Sequence, residues 1–189
     1  LAEKWETSAD GLTWTFHLVG NAKFHNGDPV DAEAVRFSYE RALKLNKGVA
    51  WMLKDHLAPE AIKAIDPHIV QFSLTAPYPA FLSFVPNWYI VNPKQVTAGV
   101  VNDDYGQKFL TAGDAGSGPF KIQRWDGQAV MALDAVPDYW KGWPMGAANR
   151  PGGVIYRVIR EPAPRKAALQ RREVDIVTEM TPDDYGELA

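Results

Sequence analysis

The 189-residue chain contains no cysteine. That absence excludes disulfide frameworks, thiolate-ligated zinc and thiol nucleophiles. It is compatible with any compartment, and it suits a protein exported through oxidising space, where stray thiols mispair. Long apolar runs are missing too: no segment approaches the ~20 residues that a membrane-spanning helix needs. A basic cluster is also lacking. The formal net charge is −3, and the densest basic run, Arg165-Lys166 with Arg171-Arg172, lies beside Glu173 and Asp175. That run reads as a solvated helix face, so no nucleic-acid partner is expected. The first residue is Leu1, and Thr181-Pro182-Asp183-Asp184 reads as a helix start shortly before Ala189. The chain is therefore expected to be a piece of a longer protein, without a signal peptide of its own.

What is present is ordinary for a globular protein. Apolar residues make up 46% and charged residues 23%, enough for one domain with a sizeable core or two small lobes. Period-two alternation marks strands. Leu12, Trp14, Phe16 and Leu18 share one face after the turn signal Asp10-Gly11, so Trp5 and the Leu12 segment should form a hairpin. Val70, Phe72 and Leu74 point inward after Asp66-Pro67. Phe120-Ile122 and Val130-Leu133 flank Asp126-Gly127, a second hairpin. Val154-Ile159 is more uniformly apolar, which predicts a strand buried on both faces. Asp31 can cap a helix carrying Val35, Tyr39, Ala42 and Leu43 at helical spacing, and Pro164-Arg172 is a second, shorter helix. Leu53-Ile65 and Gln95-Leu110 are ambiguous, and Trp143-Gly153 is an irregular loop. Strands and helices are interspersed, so the fold class is α/β in the broad, mixed α+β sense.

Chemistry-bearing constellations are sparse. His17, His25, His56 and His68 are scattered without ligand spacing, so no metal site and no cofactor are expected. Gly116-Ser117-Gly118 has its glycines directly adjacent to the serine and is followed by Pro119 and a strand. That fits a strand-entry turn better than a nucleophile elbow or a phosphate loop. Asp103-Asp104 and Asp183-Asp184 diverge on any regular element and serve better as caps than as a general acid/base pair. Among seven tryptophans, Trp14 and Trp125 belong to strand patterns and are expected in the core. Trp51 and Trp88 fall outside any periodic pattern, where a ring either lines a cleft or is buried beneath a loop. From residue chemistry alone the reading stops at a mixed domain without enzyme machinery.

Several segments taken together resemble a known family. Leu1-Ala2-Glu3-Lys4-Trp5-Glu6 with Asp10-Gly11-Leu12-Thr13-Trp14-Thr15-Phe16-His17-Leu18 is similar to the opening hairpin of the extracellular solute-binding proteins of family 5, which serve oligopeptide, dipeptide and nickel ABC importers. Lys23-Phe24-His25-Asn26-Gly27-Asp28-Pro29-Val30, Gly116-Ser117-Gly118-Pro119-Phe120, Pro137-Asp138-Tyr139-Trp140 and Arg165-Lys166-Ala167-Ala168-Leu169-Gln170 with Glu173-Val174-Asp175-Ile176 follow in family order. Departures are Asn26 and Ala34 where the family usually has Asp, and Arg171-Arg172 in place of Ser-Gly; they suggest a divergent subgroup.

The resemblance implies a partial periplasmic-binding-protein type II-like fold. Residues 1–95 would be a β-rich accessory subdomain, and 96–189 part of the mixed sheet of the first lobe, with the second lobe absent. It implies a periplasmic receptor that closes on a peptide or similar polar solute by hinge motion and delivers it to an ABC permease, without bond chemistry. Glu173-Ile176 would be a lobe strand with Thr178, Glu179 and Met180 after it at the cleft edge, and Trp51 aligns with a position where the family sets a ring against the ligand. These four residues are the expected ligand contacts. The piece by itself is expected to expose apolar surface and self-associate. Two other readings remain: a small hydrolase using Ser117 or an acidic pair, and a sensory or interaction module that borrowed the fold.

Overall fold

The computed structural model describes residues 1–188. Two antiparallel sheets account for its strands. The first contains β1 (Ala2–Thr7), β2 (Thr13–Leu18), β3 (Ile62–Asp66) and β4 (Ile69–Ser73) in the order β1-β2-β4-β3. Its register sets Trp14 opposite Phe72 and Phe16 opposite Val70. The alternating apolar residues of β2 and β4 thus meet on one face, and that face is buried. The predicted β1-β2 hairpin forms. Its turn needs a positive φ at Gly11 (+71°), a conformation open to glycine without a Cβ penalty. The Asp10 carboxylate accepts the Leu12 N–H at 3.0 Å, an Asx-type closure.

Helix α1 (Ala32–Leu45) closes this sheet. Asp31 caps it as expected, its carboxylate accepting the Ala34 N–H at 2.8 Å, which satisfies one donor of the first turn. Glu33 lies in the first turn and Lys44 in the last, both matching the helix dipole. The helix ends at Asn46, in the left-handed conformation at φ 49°, a place where Asn is tolerated. Val35, Tyr39 and Leu43 face the sheet and join Phe16, Val70, Phe72 and Phe81 in one core. Tyr39 stacks on Trp88 with centroids 4.3 Å apart and rings 4° from parallel. Trp88 is therefore a core ring. The ambiguous Leu53-Ile65 stretch resolves into a turn, a short 3-10 segment and β3.

Short helices α2 (Phe81–Phe84), α3 (Pro93–Ala98) and α4 (Gln107–Leu110) connect the first sheet to the second. The second sheet holds β5 (Phe120–Trp125), β6 (Val130–Ala135) and β7 (Gly153–Arg157), ordered β5-β6-β7. Asp126 closes the β5-β6 turn, its Oδ1 accepting the N–H groups of Ala129 (2.7 Å) and Val130 (3.0 Å). Helices α5 (Pro162–Gln170) and α6 (Pro182–Leu188) follow. No helix among the described residues is long and apolar enough to cross a membrane.

Three expectations are corrected here. The Val154-Ile159 segment does form a strand, β7, but it is not buried on both faces: among the described residues it pairs with β6 alone, and Ile155 is 69% exposed. Apolar content tells which side chains prefer burial, and it does not supply the layer that would bury them. Trp125, at the end of β5, is exposed rather than in the core for the same reason. Glu173-Ile176 is not a strand: it has no ladder partner among the described residues, and Ile176 is exposed. An isolated apolar run cannot satisfy its backbone as a strand without a neighbour.

Candidate ligand-facing segments and their supports

Trp51 sits on the 3-10 turn Gly48–Met52 that follows α1. Its neighbours Ala50 and Leu53 are buried, while the indole is 63% exposed. The turn is pinned from below and presents a rigid aromatic face outward. An aromatic ring exposed in this way can meet another molecule with little loss of rotamer entropy.

The Thr178-Met180 segment is held differently. Glu161 precedes α5 in extended conformation, and Pro162 and Pro164 begin the helix, where their missing N–H groups leave no hydrogen bond unmade. Arg165 therefore lies in the first turn, and its guanidinium reaches back and across. Nε donates to the Ile159 carbonyl at 3.1 Å and Nη2 to the Arg160 carbonyl at 3.1 Å. Nη1 donates to the carbonyls of Thr178 (3.1 Å) and Glu179 (2.8 Å). The side chain is only 16% exposed, whereas the Glu179 carboxylate is 85% exposed and stands 3.7 Å from Nη1. Thr178 is exposed and Met180 half-buried. Next to Arg165 on α5, Lys166 pairs with Asp184 (3.3 Å) and Glu187 of α6. Thr181 caps α6 reciprocally: its Oγ1 donates to Asp184 Oδ2 at 2.7 Å and accepts the Asp184 N–H at 3.2 Å. The connection from α5 to α6 is thus tied to α5 at its far end.

At the near end, α5 stops in a Schellman arrangement. The Arg172 N–H bonds the Leu169 carbonyl and the Glu173 N–H bonds the Ala168 carbonyl, with Arg172 at φ 58°. Arg172 occupies the left-handed position that glycine fills most easily.

The structure joins Thr178 and Glu179 through Arg165, and it places Trp51 with the other sheet, on a turn packed against α1. Arg165 was visible only as part of a motif. Its role could not be read from sequence, since its acceptors are main-chain carbonyls that any residue carries.

Ser117 has no base. The structure does place an Asp-His pair beside it, which the sequence reading missed. His25 Nδ1 bonds Asp114 Oδ2 at 2.6 Å and His25 Nε2 bonds the Gly118 carbonyl at 2.9 Å. Both partners are oxygens, a carboxylate and a carbonyl, an arrangement that favours the ring with both nitrogens protonated. Burial opposes that charge, but the Asp114 and Gly118 hydrogen bonds outweigh it and raise the His25 pKa above its ordinary value. Asp114 is shifted down: burial works against its charge, and the bonds from His25 and the Gly116 N–H overcome that. A protonated ring bonded at both nitrogens cannot take a proton from Ser117. The pair is an ion-paired latch between the 22–30 loop and the entry to β5.

A polar knot reinforces the latch. Asn92 is buried; its Nδ2 donates to Asn26 Oδ1 (3.1 Å) and Asp28 Oδ2 (2.9 Å), and its Oδ1 caps α3. Hydrogen bonds from Asn92, Lys94 and Asn26 lower the Asp28 pKa to about 2. Among the described residues no three of His, Asp or Glu converge as a metal site requires.

Known proteins resemble this chain in sequence and architecture. The profile of the bacterial extracellular solute-binding proteins, family 5 (middle region), matches residues 1–189. The chain is 36% identical to the probable D,D-dipeptide-binding periplasmic protein DdpA of Escherichia coli, and 31% identical to di/tripeptide-binding protein 2 of Pseudomonas aeruginosa. Each alignment covers 100% of this chain and 35% and 37% of the relative, so the chain spans about a third of their length. Among solved structures, HbpA2 from Haemophilus parasuis superposes with a TM-score of 0.79 at 25% identity, covering 100% of this chain and 39% of that protein. The fold is accordingly a partial, mixed α/β periplasmic-binding-protein type II-like fold. On the match along its whole length, the chain belongs to the bacterial extracellular solute-binding proteins, family 5.

Proposed function

We propose that this chain is part of the periplasmic substrate-binding receptor of an ABC importer, which takes up a dipeptide or similarly short polar peptide by hinge closure and hands it to the membrane permease. The observation that carries the reading is the 36% identity along the entire chain to a relative named for D,D-dipeptide binding. The mechanism is binding without bond chemistry, in keeping with the doubly bonded His25 ring beside Ser117. In this reading residues 1–95 form the accessory subdomain and 96–189 part of the first lobe. Trp51, Thr178, Glu179 and Met180 contact the solute. The exposed Glu179 carboxylate suits a peptide ammonium, and Trp51 suits the peptide's apolar flank.

The test is calorimetry on the full-length protein with D-Ala-D-Ala, L-Ala-L-Ala and a tripeptide. The expected result is saturable binding of at least one, weakened about tenfold by Trp51→Ala, in line with the loss of one aromatic anchor. Absence of binding to all three at millimolar concentration would sink the proposal. Isolated, the 189-residue piece is expected to self-associate through Ile155, Tyr156, Val158 and Ile176, all exposed. Sedimentation velocity showing a monomer at tens of micromolar would contradict this.

A further inference from the structure

We infer that Arg165 is a positioning residue that fixes the main chain at Thr178 and Glu179 and so sets where the Glu179 carboxylate meets the solute. The inference rests on the proposed ligand contact of that segment, and its first half stands on geometry alone.

Four of the five guanidinium N–H donors are used, and every acceptor is a main-chain carbonyl. Two acceptors lie six and five residues before Arg165, in the exit from β7, and two lie 13 and 14 residues after it. One side chain therefore cross-links two loops that share no ladder and no helix. The held segment has need of it. Glu179 is at φ 60°, a left-handed conformation that a non-glycine residue adopts at a cost, and the stretch from Val174 to Met180 has no regular secondary structure. Without an outside restraint such a loop samples many conformations, and ligand binding must then freeze one of them.

The planar fork is specific to Arg. Lys offers three donors from a single point and cannot span acceptors on two loops in one plane. The arrangement also separates two roles along one residue: the Glu179 carbonyl is bonded to Arg165 at 2.8 Å, while its carboxylate, 3.7 Å from Nη1, stays 85% exposed and open to a ligand on its solvent side.

The experiment uses the full-length protein with Arg165→Lys and Glu179→Gln. Arg165→Lys keeps the charge and loses the fork; Glu179→Gln keeps the backbone and removes the carboxylate. Two readouts are taken: hydrogen exchange of the 176–181 amides without ligand, and the dissociation constant for D-Ala-D-Ala well below the melting temperature. Expected are exchange about tenfold faster in Arg165→Lys and unchanged in Glu179→Gln, with binding weakened about tenfold in both. A merely structural Arg165 would lower the melting temperature and leave both readouts where they were. Unchanged exchange in Arg165→Lys overturns the inference, and so does faster exchange with unchanged affinity. Were the wild-type protein to bind no dipeptide, the proposed function would fall, and the exchange readout alone would decide the clamp.

Discussion

The two sheets of this chain are built from similar sequence patterns and end in different states. In the first, β3 and β4 pack against α1, β2 sets Trp14 and Phe16 against Phe81 of α2, and Phe16, Tyr39, Phe72, Phe81 and Trp88 interlock in one core. In the second, the buried apolar residues on the strands are the small Ala132 and Ala135, while Ile155, Tyr156 and Trp125 stay exposed. The difference lies in the covering layer. α1 packs on β3 and β4 of the first sheet, and no helix among the described residues packs as extensively on β5, β6 or β7. A strand's sequence states a preference for burial, and a second layer is required to satisfy it.

The sharpest way to break that comparison is to cut apolar volume from both sheets. Phe72→Ala should cost about 3–5 kcal/mol, because it removes a fully buried ring and leaves a cavity. Ile155→Ala should change stability by less than about 0.5 kcal/mol, as at other exposed sites. Urea denaturation midpoints of the two variants measure both, and equal losses would show that β7 is packed after all.

Next in size is the latch that joins the two sheets' loops. The raised His25 pKa means that its contribution is complete below the unfolded value of ~6.5 and is lost as pH rises through the folded pKa. The lowered Asp114 pKa means that its contribution is complete above ~3.9 and is lost as pH falls through its folded pKa. The latch is therefore strongest between those limits. His25→Gln should destabilise the protein at pH 6 by about 1–2 kcal/mol, as expected for a charge-assisted bond, and by less at pH 9. Melting temperatures across that range check the sign: a gap that widens toward pH 9 would contradict an imidazolium.

The smallest effect concerns the exit of α5. Arg172 stands at the left-handed position of the Schellman turn, so Arg172→Gly should stabilise the protein by about 0.5–1 kcal/mol. A loss of stability in thermal unfolding would show that the Arg172 side chain makes a contact worth more than the backbone strain it carries.

Local features were legible because their causes are local. Asp31 capping α1, the Asp10-Gly11 and Asp126-Gly127 turns, and Thr181 capping α6 each depend on atoms within four residues. The candidate site was legible only in part. Trp51 could be named, and its exposure follows from the burial of Ala50 and Leu53 around it. The Arg165 bonds to Thr178 and Glu179, and the His25 bond to Asp114 across 89 residues of sequence, could not be read. Nothing in a one-dimensional pattern says which carbonyl a guanidinium will find.

The sequence by itself determined the turns, the caps, the amphipathic face of α1 and, through its ordered motifs from Trp5 to Ile176, the family. It also determined that these 189 residues supply no thiol, since none of them is cysteine. Only the tertiary structure decided which apolar strands are covered, that Trp88 is core and Trp51 is not, and that one half-buried arginine holds the segment on which the proposed ligand contacts sit. The physical reason is the same throughout. Backbone preferences and side-chain hydrophobicity are properties of neighbours in sequence, whereas burial and multi-acceptor hydrogen bonding are properties of neighbours in space.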